Sequence, residues 1–417
     1  MSWDCIVRVL AHRGHGHNPG MDIQASDILV AGGGIGGLAA ALALSRQGAG
    51  VQLIEQAAAF SEVGAGIQIG PNVTRILQAW GLGNALAQVA AFPQRLQARD
   101  AQTGQLLGSL RLGERAQSLY GAPYATIHRA DLHALLLQAA QAAGAGLALG
   151  QTVERWADSG EGLAVHGAGG ASWQAAALIG ADGVWSAVRS QLLGDAPARF
   201  TGHLAYRALV PQADLPSALR TQDVTVWMGP RLHVVHYPVR AGQALNLIAI
   251  VHGDKPTDPN GWDHAGHADS LLRAMGDVGH DLRQRLEAIP AWRLWALHDR
   301  TPVNAASQMA QGRVALLGDA AHPMRPYLAQ GAGMAIEDAQ VLAQCLASDA
   351  GSVADRLQAY ADQRWARNAQ VQARAIRNGS IFHAQGLVAM GRNMSMRLMG
   401  ERLMDVPWLY GAGPSAD

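Results

Sequence analysis

The sequence predicts an α/β protein: a parallel, helix-covered sheet, interrupted by a largely antiparallel sheet and followed by C-terminal helices. Three observations carry that expectation. Asp27 to Gln56 reads as strand, glycine turn, helix and strand in order. Two later apolar strands each end in an aspartate beside a glycine. The segment between those two strands alternates with period two.

The chain as a whole sets the bounds. Its 417 residues are 49% apolar and 15% charged, enough for two or three domains and a core that can enclose a sizeable ligand. With 32 basic and 32 acidic residues the formal net charge is zero, so nothing attracts nucleic acid or an anionic membrane over long range. Cys5 and Cys345 are too few for a disulfide framework, and a cytoplasmic, reducing location is expected. No apolar run reaches the roughly 18 residues that a membrane span needs. The opening stretch MSWDCIVRVLAHRGHGHNPG is a poor signal peptide. Residues 1–20 are expected to be a disordered extension, with Met21 an alternative start. His12, His15 and His17 lie in that stretch, but no metal site is expected.

Within Asp27–Gln56, Ile28 to Ala31 form a short apolar run expected to be a buried strand. Gly32, Gly34 and Gly37 then give the G-x-G-x-x-G spacing. Strong helix formers run from Ile35 to Gln47 and Gly48 is a suitable stop. Val51 to Ile54 make a second strand, which Glu55 ends. Gly32 permits a tight turn, Gly34 lets a pyrophosphate approach the backbone, and Gly37 lets helix and strand pack closely. Free N–H groups at the helix start suit phosphates, and the glutamate suits a ribose. Glycines alone would mean little in a chain that has 49; the ordered set of parts is what points to a dinucleotide. A glutamate disfavours a 2′-phosphate, so NAD or FAD is expected there rather than NADP.

Two further motifs separate NAD from FAD. GADGVWSAVR, Gly180 to Arg189, follows the apolar strand AAALI, and LLGDAAHPMRPYLAQGAGMAIEDA, Leu316 to Ala339, follows RVALL. Ligands of open α/β sheets lie beyond the carboxyl ends of strands, so Asp182 and Asp319 are expected to converge on the site made by Gly32 to Gly37.

In these three motifs, their order and their spacing, the chain resembles the class A flavoprotein aromatic hydroxylases, single-component FAD monooxygenases. The resemblance runs from about Asp27 to Gly411 and implies a Rossmann-like FAD-binding domain with an inserted substrate-binding sheet. It implies cofactor contacts from Gly32, Gly34, Ile35, Gly36 and Gly37, from Glu55 at the adenosine ribose, and from Arg129 at the cofactor's middle. It further implies Asp182 on the pyrophosphate side, Asp319 on the ribityl hydroxyls, and Gly331, Ala332 and Gly333 beside the flavin's pyrimidine edge. The helix opened by those last residues has a positive end that suits an anionic reduced flavin. NADH or NADPH would dock transiently as co-substrate, with O2 as the second. The domains are expected at 21–190 and 301–350 for FAD binding, 191–300 for the substrate sheet and 351–417 for C-terminal helices.

Between the second and third motifs, HLAYRALV, DVTVWMG, RLHVVHYPVR and ALNLIAIVH read as strands. A sheet covering the flavin matters because water would release the flavin C4a-hydroperoxide as hydrogen peroxide without product. Alternation puts His233 and Tyr237 on one face and His236 on the other. His233 and Tyr237 resemble pocket residues of the family's hydroxybenzoate and hydroxynicotinate hydroxylases, while His236 reads as structural. His322 is expected to shape the turn after Asp319. At Pro326 the 3-hydroxybenzoate enzymes are expected to carry glutamine, and MRPYLAQG is closer to the hydroxynicotinate and salicylate pattern, with Tyr327 departing from the former. In the C-terminal region, WARNAQVQARAIRNG reads as a solvated basic helix, and Met390, Met394, Met396, Met399 and Met404 as core or interface filler.

The expected activity is hydroxylation of a hydroxylated aromatic carboxylate of the 3-hydroxybenzoate kind. Free phenols ionise at about 10, so the pocket needs a base; His233 is the candidate, with Tyr237 orienting the substrate. Salicylate or decarboxylating 6-hydroxynicotinate hydroxylation, epoxidation, and a flavin-binding regulator without turnover are the alternatives. The oligomeric state stays open, a homodimer included.

Overall fold

The structure, a computed structural model, describes residues 23–60, 65–255 and 264–414. The expected extension 1–20 and the alternative start at Met21 lie outside the described residues.

Two eight-stranded sheets organise the chain. The first runs in the order Ala310–Gln311, Val314–Leu316, Ser172–Gly180, Ile23–Ala31, Val51–Glu55, Gly146–Leu149. A hairpin of Val153–Asp158 and Leu163–Gly167 pairs onto Ser172–Gly180. The inner pairings are parallel. Ala31 stands opposite Ile54 on one side and Gly180 on the other, and Gly180 stands opposite Leu316. These strand ends are level, so the segments leaving them at Gly32, Ala181 and Leu317 emerge side by side. That is the physical reason why three motifs far apart in sequence meet.

Helix Ile35–Arg46 is buried at nine of its twelve residues. Being apolar on all sides, it belongs between layers, and it packs against helices Arg129–Ala142 and Gly331–Ala347. The chain leaves it through Gly48, at φ +85°.

The second sheet runs His264–Gly266, Trp292–Asp299, Arg199–Pro211, Ala244–His252, Leu232–Val239, Val224–Gly229, Arg95–Asp100, Leu106–Arg111. It is antiparallel except where Val224–Gly229 meets Arg95–Asp100. The strands expected between the second and third motifs are all present, but the expected boundary at 191 does not contain the sheet. Two of its strands come from within 21–190, covering an edge of Val224–Gly229 that would otherwise be exposed for pairing. Helices Ala268–Met275 and His280–Glu287 close one face over Trp227, Val234 and Leu247. The other face, with Val235, Tyr237 and Ile248, looks toward the C-terminal region.

Helix Val353–Phe382 starts with a capping box: Ser352 Oγ accepts from Asp355 N at 3.2 Å and Asp355 Oδ2 accepts from Ser352 N at 2.8 Å. WARNAQVQARAIRNG is not the solvated face expected of it. Helical period buries Asn368, Val371, Gln372, Ala375 and Asn378, and their polar atoms are used. Gln372 accepts from Val303 N at 2.9 Å and Asn378 donates to Tyr327 O at 3.0 Å. Met396 and Met404 pack against Ala98, Leu107 and Met228, whereas Met390, Met394 and Met399 are exposed. Among the described residues, no helix is long and apolar enough to cross a membrane.

Candidate active site

The glycine turn shows why each glycine is there. Gly32 has φ +106°, and a Cβ on it would stand 2.4 Å from Ala181 O. A Cβ on Gly37 would stand 1.8 Å from Gly32 O, so helix and turn could not approach as they do. At Gly36 a Cβ would stand 2.9 Å from the Leu317 side chain. Gly34 is the opposite case: nothing lies within 4 Å of the space a Cβ would fill. That open side looks into a cavity of about 280 Å³, which Ile35, Gly36, Arg129, Asp319, Gly331 and Ala332 also line. Gly333 does not face it; it packs tightly on Val73 and Gln330.

Glu55 accepts from Gly33 N at 2.7 Å through Oε2 and from Ala57 N at 2.8 Å through Oε1. Its carboxylate therefore ties the glycine turn to the strand end. Asp182 is not among the residues lining the cavity. It accepts from the Ser186 hydroxyl, from Ala187 N at 2.8 Å and from Val188 N at 3.1 Å, which binds it to the start of helix Ala187–Leu193. Asp319 is different. Its side chain is exposed, and the space it opens onto is the cavity. Desolvation raises its carboxyl, against the lowering influence of His322 and Arg129.

The turn that presents Asp319 is anchored from below. His322 Nε2 lies 2.5 Å from Asp338 Oδ2, which also accepts from Gly318 N at 3.1 Å. Asp338 Oδ1 accepts from Arg364 Nε at 2.8 Å and from Asn368 at 3.0 Å. Burial would raise the Asp338 carboxyl, but His322 and Arg364 hold it well below the usual carboxylate range. His322 is thus a support of the turn, buried at 1% exposure.

The second sheet closes the other side. His233, Val235 and Tyr237 line the cavity, while His236 faces the opposite core near Trp227, as the alternation requires. A second cavity of about 460 Å³ adjoins the first, and His233, Gln68 and Pro326 line both. His233 Nδ1 lies 2.8 Å from His383 Nε2, so Nε2 is the ring nitrogen left for a ligand. Its pKa is pushed down to about 3, by burial first and by His203 second, and the ring is neutral at neutral pH. The Tyr237 hydroxyl donates to Gly66 O at 2.7 Å.

Four contributors were missed in the sequence. Gly66 and Gln68 sit on the short strand Gly66–Ile69, framed by glycines that could have marked it. Arg374 lines the outer cavity with Nε buried and without a hydrogen-bond partner among the described residues. His383 ends a helix 150 residues from His233.

Level strand ends, a glycine turn open on one side and an acid in the cleft fit FAD, with a partly apolar chamber beyond it for a second reactant. Fold and site thus define a FAD-dependent oxidoreductase. Residues 25–375 match the family model described as FAD binding domain. The chain is 40% identical over 388 residues to a 3-hydroxybenzoate 6-hydroxylase of Polaromonas naphthalenivorans (strain CJ2), 92% of this chain and 95% of that one. It is 36% identical over 325 residues to a 6-hydroxynicotinate 3-monooxygenase of Pseudomonas fluorescens, 78% of this chain and 83% of that one. Among solved structures, a substrate complex of salicylate hydroxylase superposes with TM-score 0.78 at 28% identity, covering 93% of this chain and 96% of that one. Klebsiella pneumoniae HpxO with FAD and uric acid superposes with TM-score 0.79 at 26% identity, covering 91% and 94%. The chain belongs to this FAD-binding family and is a class A FAD-dependent aromatic hydroxylase.

Proposed function

We propose that the chain hydroxylates a small aromatic acid bearing a ring hydroxyl, of the 3-hydroxybenzoate type, and that His233 accepts the hydroxyl proton. The observation that carries this reading is the position of His233, on the wall shared by the cofactor cavity and the chamber beyond it. The name and 40% identity of the Polaromonas relative support the substrate class. Bound FAD, reduced by a nicotinamide nucleotide, supplies an electrophilic oxygen atom from O2.

The protein's own part is to bind, orient and move a proton. Arg374 offers the chamber a cation for a carboxylate. Gly34 and the helix start would hold the cofactor's phosphates, and Asp319 its ribityl hydroxyls. Glu55, by its two backbone bonds, holds the turn that does so and stays beside the adenosine end. Asp182 supports the same region through the helix it caps. Tyr237 acts as a wall that positions Gly66, because its hydrogen is already given away. His233 Nε2 takes the substrate's proton, and at so low a basicity it keeps that proton briefly. Nδ1 then passes a proton to His383 Nε2, 2.8 Å away, and so toward the half-buried His252.

One observation favours a second reading. Pro326 lines both cavities at the place where glutamine was expected of a 3-hydroxybenzoate enzyme, which admits a hydroxynicotinate or salicylate type of substrate. The test is a panel of hydroxybenzoates and hydroxynicotinates, scored for stimulated nucleotide oxidation and for hydroxylated product. A panel in which no aromatic acid stimulates oxidation would overturn the proposal.

A further inference from the structure

Three histidines from distant parts of the chain meet beside the substrate chamber. His203 and His252 stand opposite each other across strands Arg199–Pro211 and Ala244–His252, and His383 caps helix Val353–Phe382. His203 Nε2 lies 3.2 Å from His252 Nε2, which lies 2.9 Å from His383 Nδ1. All three atoms fall within 4.8 Å of one another. The rings arrive from different directions, with interplanar angles of 82°, 51° and 75°.

Hydrogen bonding alone does not account for this arrangement. A ring nitrogen has one in-plane valence, filled by a hydrogen or by a lone pair. His252 Nε2 can therefore make one good hydrogen bond, yet two ring nitrogens stand within reach of it. Three imidazole nitrogens gathered this closely meet the need of a metal ion. A tetrahedral ion with bonds to nitrogen of about 2.0–2.1 Å sets its ligand atoms roughly 3.3 Å apart. An all-imidazole set suits zinc, copper or nickel rather than magnesium or calcium.

The surroundings agree with that need. His203 and His383 are each 8% exposed, while His252 is half-buried, which leaves the cluster an entry from solvent. His383 is held from behind by the His233 contact, the kind of outer bond that orients a ligating imidazole. Nearby Arg325 is paired with Asp299 at 2.7 Å, and Arg199 holds the same carboxylate at 2.9 Å.

We propose that His203, His252 and His383 bind a divalent transition-metal ion, with zinc as the probe. An ion on His383 Nδ1 puts that ring's hydrogen on Nε2, donated to His233 Nδ1. His233 then carries its own hydrogen on Nε2 and cannot accept one from the substrate. This last consequence alone rests on the role proposed for His233.

The test uses untagged, full-length holoenzyme, stripped with a chelator and dialysed against zinc. The parent should retain one more zinc per chain than His203→Ala or His252→Gln, with FAD content and melting temperature matched across all three. His12, His15 and His17 are common to all three chains and cancel in the difference. Cobalt in place of zinc should give the parent visible absorption beyond the flavin bands, absent from both variants. His233→Ala should weaken zinc binding by about 10–100-fold. Equal zinc content in the parent and both folded variants overturns the site. In turnover, zinc should lower the product formed per nucleotide oxidised in the parent and leave His203→Ala unchanged. A parent that takes up the extra zinc at an unchanged ratio keeps the site and removes His233 from the role of base.

Discussion

Tyr237 gives its hydroxyl hydrogen to Gly66 O at 2.7 Å, and Asn246, its register partner on the next strand, accepts from Gly66 N at 2.6 Å. One glycine of the cofactor domain is thereby held at both polar groups by the second sheet. A Cβ at this position would stand 2.6 Å from Tyr237 Cε2 and 2.8 Å from Asn246 Cγ. Tyr237→Phe leaves the Gly66 carbonyl without its donor, a cost of about 1–3 kcal/mol. The variant should melt earlier and bind FAD less tightly, and Gly66→Ala should be worse on both counts. Unchanged melting with poorer substrate binding would instead make the hydroxyl a substrate contact.

Asp319 gives the clearest cofactor test. Removing a charge-assisted hydrogen bond costs roughly 1.5–3 kcal/mol, so Asp319→Ala should lose about tenfold to a hundredfold in FAD affinity. Fluorescence titration of the stripped protein measures it. Parent-like affinity would reduce the acid to a feature of the turn.

Asp338 should reveal itself through pH. Its carboxyl is held low by His322 and Arg364, so its contribution is fully present above the unfolded value of about 3.9 and is lost as pH falls toward the lower folded value. Asp338→Asn breaks a buried ionic network, which typically costs about 3–5 kcal/mol. It should melt well below the parent at pH 7, and the gap should narrow below about pH 4. A gap constant with pH would show that the charge is not what stabilises the turn.

What could be read from sequence follows from how local each feature is. Gly32 and Gly37 sit in one short turn, so spacing alone was enough to expect the tight turn and the close helix packing that their φ angle and backbone contacts show. Asp182 and Asp319 look alike in sequence, each beside a glycine at a strand end. Ser186 and a helix follow Asp182 at capping distance and take its carboxylate, whereas Asp319 is left facing the cavity. Period two separated His233 from His236 correctly. It could not bring His383 to His233, nor strand Arg95–Asp100 to the second sheet, because both contacts join segments more than a hundred residues apart.

His233→Ala separates a base from a wall. The variant should still oxidise the nicotinamide nucleotide when substrate is bound, because FAD binding and reduction do not use this ring. Oxygen transfer should fall, since a neutral phenol is a poorer nucleophile and general-base help is typically worth about 10²–10⁴-fold. The oxygen consumed would then appear as hydrogen peroxide, and product per nucleotide oxidised would drop. Raising the pH toward the phenol's own value of about 10 supplies the substrate already ionised and should restore much of that ratio. Loss of a mere wall would leave the ring misplaced at every pH, with no such recovery. A parent-like ratio at neutral pH in His233→Ala would mean that the proton leaves by another route.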